Sequence, residues 1–360
     1  MNEREAMERA LELALAGWGR VAPNPMVGAV LLRDGKVIGE GYHAEFGGPH
    51  AEVQALSDCA DPRGATCVVN LEPCRHTGKT PPCADALVEA GIEKLIYAVE
   101  DPDVKAGGGA ERLREAGIQV ERGLLSAEAA ALNAPFLCTR SERGRPFVAI
   151  KVATSLDGFL ADASERSQWI SGPGARAYVQ WLRAGFDAIA VGRRTAEADN
   201  PQLTAREVVP RIPPTRVVFS HSGAVPPTLQ IVETASSIPT FVVTTIEGRE
   251  RARSVLGDSG VRFVAANDLD GALHGLWAAG IRSMLVEGGG ELVGSLMAAG
   301  VVDRVYWIQA PLWLGKGRSA FGDRPSTLLT DAERWTVVER RPLGKDTLLV
   351  VDRAPCLPES

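Results

Sequence analysis

The sequence predicts an α/β protein of two domains. Three observations carry this expectation. The chain has 360 residues, more than one ordinary domain holds. Short apolar runs alternate with helical periodicity in both halves. A polar, basic interruption, Cys138-Thr139-Arg140-Ser141-Glu142-Arg143-Gly144-Arg145-Pro146, separates them, as linkers do. The expected domains are residues 1–144 and 145–360, with the linker beginning near Phe136.

In the first half, Met7, Leu11 and Ala14 recur at helical spacing and Gly17 supplies the stop, so a helix is expected over 3–16. Val27 to Leu32 is a buried strand, Asp34-Gly35 a hairpin turn, and Lys36 to Gly41 the returning strand. Cys67 to Val69 and Leu95 to Val99 are further strands, with helices over 49–56, 83–90 and 110–116. This alternation is that of a three-layer α/β domain. The second half repeats it. Strands are expected at 147–153, 187–191, 216–219, 240–244, 283–286 and 304–309, with helices at 173–184, 269–279 and 291–299.

Charged residues at 23% and hydrophobic residues at 45% give the balance of a soluble globular protein. A net charge of -6 counts against a nucleic-acid partner. No uninterrupted apolar run reaches the roughly 18 residues of a membrane span. Met1-Asn2-Glu3-Arg4-Glu5 is acidic where a secretory signal would be basic and then apolar, so no membrane partner and a cytoplasmic location are expected. Six cysteines in a long chain without an export signal do not suggest a disulfide framework. Cys59, Cys67, Cys138 and Cys356 lack partners at metal-ligand spacing and are read as structural.

The remaining two cysteines belong to the most informative stretch. Pro49-His50-Ala51-Glu52 is followed by Glu72-Pro73-Cys74 and then Pro81-Pro82-Cys83. One imidazole and two thiolates, His50, Cys74 and Cys83, make a zinc site whose fourth position stays open for water. Zinc lowers the pKa of such a water to about 7, so that it can attack an amino-bearing ring carbon. Glu52, two residues from His50 at the start of the same expected helix, is placed to shuttle the proton to departing ammonia. Cys83 begins a helix, whose positive end favours a thiolate. The alternative is a set of unrelated buried cysteines beside a surface histidine.

At these residues the sequence resembles the cytidine-deaminase-like superfamily, whose members carry H-x-E and P-C-x-x-C. The longer gap here, with Arg75-His76-Thr77-Gly78-Lys79-Thr80-Pro81-Pro82 between the cysteines, is similar to the riboflavin-pathway deaminases. So are Pro23-Asn24-Pro25-Met26-Val27-Gly28 and Gly39-Glu40-Gly41-Tyr42-His43. The resemblance implies a zinc-dependent pyrimidine deaminase with Asn24, His43, His76 and Lys79 at the substrate, Lys79 near the ribose phosphate. An amide can read a pyrimidine edge, and a lysine meets phosphate as a point charge.

The second half carries Lys151-Val152-Ala153-Thr154-Ser155-Leu156-Asp157-Gly158, Ser167-Gln168-Trp169-Ile170, Asp199-Asn200-Pro201-Gln202-Leu203-Thr204-Ala205-Arg206 and Val286-Glu287-Gly288-Gly289-Gly290. The glycines lie between a buried strand and a helix, a setting that holds phosphate, but they lack the full G-x-G-x-x-G pattern. Together these segments resemble the reductase domain of bifunctional riboflavin deaminase–reductases, relatives of dihydrofolate reductase, across 147–352. That resemblance implies NADPH. It implies nucleotide contacts from Ala153, Trp169, Thr195, Asp199 and Ser220, and from the segment Gly289, Gly290, Glu291, Leu292, Val293, Gly294 and Ser295. It places Ser167, Arg183, Leu203, Arg206 and Glu287 at the phosphoribosyl-pyrimidine, with Lys151 helping to place or protonate the sugar during hydride transfer to C1′.

Where Glu291 stands, many relatives have a small hydroxyl residue, and a carboxylate there would repel phosphate. Arg193 or Arg194 is a candidate for the cofactor's 2′-phosphate, with solvated surface charge as the alternative. The implied order is loss of the 2-amino group from 2,5-diamino-6-(5-phosphoribosylamino)pyrimidin-4(3H)-one, then reduction of the ribosyl group to ribityl, in a homo-oligomer. A nucleic-acid-editing deaminase would share the zinc site but need a basic, aromatic-lined surface. A structural zinc site would fill all four positions with protein ligands, and a paralogue of a related pteridine-like pathway would share most of these motifs.

Overall fold

In the computed structural model, which describes residues 1–76, 81–103, 106–140, 143–322 and 328–353, the first helix, α1 (Glu3–Leu15), begins at Asn2. The Asn2 side chain accepts from the Glu5 amide and the Glu5 carboxylate accepts from the Asn2 amide, a capping box. Strands β1 (Gly28–Arg33) and β2 (Lys36–Tyr42) form a hairpin closed by Asp34 and Gly35, both at positive φ (52° and 71°), as an Asp-Gly turn requires. Then follow α2 (Ala51–Asp58), β3 (Thr66–Leu71), α3 (Cys83–Ala90), β4 (Lys94–Val99), α4 (Gly109–Glu115), β5 (Gln119–Arg122), α5 (Ser126–Leu132) and α6 (Ala134–Arg140). The sheet order is β2-β1-β3-β4-β5, with β1 antiparallel to both neighbours and β3, β4 and β5 parallel.

Two glycine contacts show how the layers close. A Cβ on Gly28 would stand 2.0 Å from the Ala10 carbonyl of α1, and one on Gly41 2.4 Å from the Ala51 carbonyl and Ala55 amide of α2. Gly41 pairs with Ala29, the neighbour of Gly28, so the two glycines face opposite sides of the sheet. The α1 and α2 backbones therefore lie directly on opposite faces, α1 together with α5, and α2 in a row with α3 and α4. This is the expected three-layer α/β/α arrangement.

This first compact unit spans Met1–Glu142 and a second Arg143–Ala354. The expected linker start is corrected: Phe136 to Arg140 is helical, because Leu137 is buried and Phe136 packs on the same core.

The second unit runs β6 (Phe147–Thr154), β7 (Phe159–Asp162), α7 (Pro173–Ala184), β8 (Ala188–Gly192), α8 (Arg193–Asp199), β9 (Thr215–Phe219), α9 (Gln230–Glu233), β10 (Thr240–Thr244), α10 (Ile246–Leu256) and β11 (Arg262–Ala265). It continues with α11 (Leu269–Ala278), β12 (Ser283–Glu287), α12 (Gly290–Ala298), β13 (Arg304–Gln309), β14 (Gly317–Ser319), β15 (Thr336–Leu343) and β16 (Asp346–Asp352). Its nine-stranded sheet has the order β11-β10-β9-β8-β12-β6-β13-β16-β15. Strands β11 through β13 in that order are parallel, and β16 and β15 add antiparallel pairs at the end. A long parallel sheet gathers functional groups outside the carboxyl ends of its strands. Lys151, Ser220 and Glu287 all lie toward those ends. Among the described residues no helix is long and apolar enough to cross a membrane.

Candidate functional site

In the first unit, His50 immediately precedes α2, Cys74 follows β3 and Cys83 opens α3. Their ligand atoms all lie within 4.8 Å of one another. His50 Nδ1 is 3.2 Å from Cys83 Sγ and 3.6 Å from Cys74 Sγ. Donors bound to one zinc ion at about 2.0–2.3 Å and tetrahedral angles stand about 3.5 Å apart, so the three fit a single ion. The Cys83 amide, at the N-terminus of α3, donates to Cys74 Sγ at 3.4 Å, which favours a thiolate. The hydrogen bond from Cys83, joined by His50 and opposed by burial, draws the Cys74 thiol down to about 4, and the same bond with burial pushes Cys83 up.

Glu52, in the first turn of α2, is 3% exposed. Burial pushes its carboxyl up to about 7 against the pull of His50. The close approach of α2 to β2 at Gly39 and Gly41 fixes where His50 and Glu52 stand. Both line a cavity of about 250 Å³ with Asn24, His43, Cys74 and His76. His43 Nδ1 lies 3.0 Å from the Pro49 carbonyl and Nε2 3.1 Å from Asn24 Nδ2. A carbonyl can only accept, so the partners assign the proton to Nδ1 and the acceptor role to Nε2. Burial lowers the His43 imidazole, consistent with this neutral form. The Asn24 carbonyl oxygen is left available to a ligand. Lys79 lies outside the described residues, as does Cys356.

Several groups around this cavity carry no sequence signal. Outside its lining, Asn133 and Asn70 hold the chain where it enters β1, through Met26 N to Asn133 Oδ1 at 2.8 Å and Gly28 N to Asn70 Oδ1 at 2.8 Å. Asp101, Asp103 and Arg140 also line the cavity, and Arg140 pairs with Asp103 at 3.0 Å. Glu72 accepts the Gly108 and Ala110 amides at 3.0 Å each, and the Asp101 amide at 3.3 Å. It thereby ties the chain leaving β4 to the start of α4.

In the second unit, β12 pairs Glu287 with Lys151 of β6. Glu287 accepts two bonds from Arg183 of α7, at 2.6 and 2.9 Å, and stands 3.7 Å from Lys151 Nζ. Burial alone would raise its carboxyl, but Arg183 and Lys151 outweigh that and hold it at about 2. Arg183 Nη1 also donates to the Thr204 carbonyl at 3.0 Å. The structure therefore brings Lys151, Arg183, Glu287 and the Thr204 backbone together. The Leu203 side chain, 2% exposed, is core, which leaves only its backbone for a ligand. Ser167 and Trp169 are exposed, and Trp169 stacks on Arg176 at 4.8 Å.

A larger cavity, about 540 Å³, opens past the ends of β8, β9, β10 and β12. Thr195, Ser220, Gly289, Glu291, Leu292 and Ser295 line it, with Arg193 and Arg194; Ala153, Trp169 and Asp199 do not. The Ser220 hydroxyl is buried with no hydrogen-bond partner. Thr195 Oγ1 accepts from the Gly289 amide at 3.1 Å. Three residues of the 289–295 segment are held by packing. Val293 packs into the core. Gly290 and Gly294 are small because a Cβ would stand 2.4 and 2.5 Å from the Ser319 and Phe321 carbonyls. Glu291 pairs with Arg194, and Arg193 with Glu197 at 2.8 Å, so both arginines already hold carboxylates.

Comparison with known proteins adds the following. A family profile described as the RibD C-terminal domain matches residues 146–349, and one described as the cytidine and deoxycytidylate deaminase zinc-binding region matches residues 1–99. Riboflavin biosynthesis protein RibD of Escherichia coli is 38% identical over 364 residues, covering 97% of this chain and 99% of that protein. The protein of the same name from Corynebacterium ammoniagenes is 42% identical over 327 residues, covering 87% and 88%. Among solved structures, the Thermotoga maritima diaminohydroxyphosphoribosylaminopyrimidine deaminase/5-amino-6-(5-phosphoribosylamino)uracil reductase superposes with a TM-score of 0.83 at 34% identity, covering 97% of this chain and 98% of that one. Acinetobacter baumannii RibD gives 0.80 at 36% identity, with the same coverage.

Proposed function

The chain belongs to the family of riboflavin biosynthesis protein RibD, and on that premise we propose that it carries out two consecutive steps. Residues 1–144 form the deaminase domain, which hydrolyses 2,5-diamino-6-(5-phosphoribosylamino)pyrimidin-4(3H)-one to 5-amino-6-(5-phosphoribosylamino)uracil. Residues 145–360 form the reductase domain, which reduces the ribosyl group of that product to ribityl with NADPH. The observation that carries the reading is the convergence of His50, Cys74 and Cys83 around one point, with buried Glu52 in the same cavity.

His50, Cys74 and Cys83 are the residues to hold zinc. When bound, zinc supplies Lewis-acid activation of water at neutral pH. Glu52 accepts the proton of the attacking water and returns it to the departing amine. Asn24, held by His43, offers its carbonyl oxygen to the donors of the pyrimidine edge. His76 and Lys79 are assigned to the phosphoribosyl side.

The 540 Å³ cavity suits a dinucleotide. The orphaned Ser220 hydroxyl on its wall is a donor awaiting a ligand, and the Gly289 end of α12 suits phosphate. NADPH supplies the hydride there. Ionised Glu287 holds Lys151 on the neighbouring strand, where its Nζ can donate to the opened sugar, while Arg183 fixes Glu287. Membership of the family and the absence of a spanning helix among the described residues support a cytoplasmic homo-oligomer acting on a small molecule, without nucleic acid or membrane.

The test is incubation of purified protein with the diaminopyrimidine phosphate, first without and then with NADPH. The reading expects ammonia release without cofactor and NADPH oxidation only once the deaminated product is present. Ammonia release that depends on NADPH, or NADPH oxidation by the undeaminated compound alone, would contradict the assignment of the two halves.

A further inference from the structure

We infer that Gln180 is a positioning residue of the reductase site, holding the backbone of Arg206 so that its guanidinium meets the substrate phosphate. The inference rests on the reading above, in which Arg206 contacts the phosphoribosyl-pyrimidine. Arg206 has no carboxylate partner among the described residues, and its residue is exposed. Of the groups on that substrate, a phosphate is the one a guanidinium fork matches with two parallel bonds.

The segment leaving α8 is irregular. Asn200 and Leu203 both adopt positive φ (39° and 51°), which an asparagine takes readily at a helix C-cap but a leucine holds only where its surroundings fix it. Three sets of contacts do so. Gln230 donates from its backbone and side chain to Asn200, at 2.9 and 3.1 Å, and Leu203 is buried as a plug. From α7, Arg183 reaches the Thr204 carbonyl and Gln180 Oε1 accepts the Arg206 amide at 3.1 Å. Gln180 and Arg183 are three residues apart and thus neighbours on one face of the helix.

The two contacts differ in what they serve. Arg183 also holds Glu287 and through it Lys151, so its loss would disturb the chemistry. Gln180 reaches residue 206 alone, beyond which the chain carries no regular structure up to β9. Losing its acceptor therefore frees Arg206 without moving Lys151 or the dinucleotide cavity. One net backbone hydrogen bond corresponds to roughly a fivefold effect.

The experiment measures steady-state reduction of the deaminated phosphoribosyl-pyrimidine by the full-length protein carrying Gln180→Met, Arg206→Ala, or both. The Gln180→Met variant is expected to raise KM for the pyrimidine roughly fivefold, with kcat and the KM for NADPH within about twofold of the parent. Arg206→Ala is expected to raise the same KM further, and the double variant to match Arg206→Ala. If Arg206→Ala leaves KM unchanged, the underlying reading of Arg206 fails. If Arg206→Ala raises KM but Gln180→Met does not, or the two effects multiply in the double variant, the inference about Gln180 falls. A fall in kcat, or a thermal transition lowered by several degrees in Gln180→Met, would mark a general structural role and overturn it as well.

Discussion

Replacing Glu287 by glutamine gives a change in stability whose size and pH dependence follow from the structure. Glu287 is 8% exposed, bonded twice by Arg183 and faced by Lys151. Burial would raise its carboxyl, yet the two cations hold it at about 2 instead of the ordinary 4.5. Each factor of ten in proton affinity is worth about 1.4 kcal/mol, so the ionised group contributes about 3 kcal/mol to folding at neutral pH. Because the folded value lies below the unfolded one, this contribution is complete above pH 4.5 and is lost as pH falls toward 2. At pH 6 the parent retains all of it, and at pH 3 about 1 kcal/mol remains. Glutamine keeps the shape and removes the charge, leaving Arg183 unpaired equally at both pH values, so the expected change in the difference is about 2 kcal/mol. Urea unfolding followed by tryptophan fluorescence suits the purpose, since of seven tryptophans only Trp18 lies in the first unit. A difference between parent and variant that stays constant from pH 6 to pH 3, or widens as the pH falls, would refute the reasoning.

Other outcomes are expected on the same grounds. Glu52→Gln should lower ammonia release by about 10²–10⁴-fold, while zinc content and reduction of the already deaminated intermediate stay unchanged. A loss of zinc would instead make Glu52 a support of the metal site. Gly41→Ala places a methyl 2.4 Å from the α2 backbone and should destabilise the first unit by about 1–3 kcal/mol. It should also lower zinc occupancy by displacing His50; an unaltered melting temperature and metal content would show that α2 does not depend on this contact. Ser220→Ala removes a buried hydroxyl without a partner. It should leave the free protein as stable or slightly more stable while weakening NADPH binding, measured as Kd by fluorescence titration. Unchanged affinity would remove Ser220 from the cofactor site.

How much of this was legible in the sequence depended on how the residues are spaced. His50, Glu52, Cys74 and Cys83 fall within one short stretch, and zinc-dependent deamination needs that combination, so the clustering of His50, Cys74 and Cys83 could be expected from the sequence. The alternation of apolar runs with helical patterns gave both domains their class. Asp101 and Arg140 could not be found this way, because β4 and α6 deliver them to the cavity from segments whose local pattern is ordinary. Gln180 and Arg183 belong to an amphipathic helix, and nothing in its sequence tells that their polar ends meet a loop more than 20 residues later. Strand β15 is invisible for another reason. Most of β15 is solvent-exposed, and its Glu339-Arg340-Arg341 run shows none of the alternation that marks a half-buried strand. Val293, Gly290 and Gly294 adjoin the 540 Å³ cavity, yet their side-chain sizes answer to packing, which a contiguous motif does not separate from ligand contact.

The proposed deamination requires a metal held by one imidazole and two thiolates with a position left open. X-ray absorption at the zinc edge of the purified protein, with metal content measured on the same sample, tests this most directly. One zinc per chain is predicted, with two sulfur neighbours at about 2.3 Å and two light atoms at about 2.0–2.1 Å, only one of them from a histidine. A third sulfur, a second imidazole, or a spectrum unchanged by Cys74→Ser would contradict it.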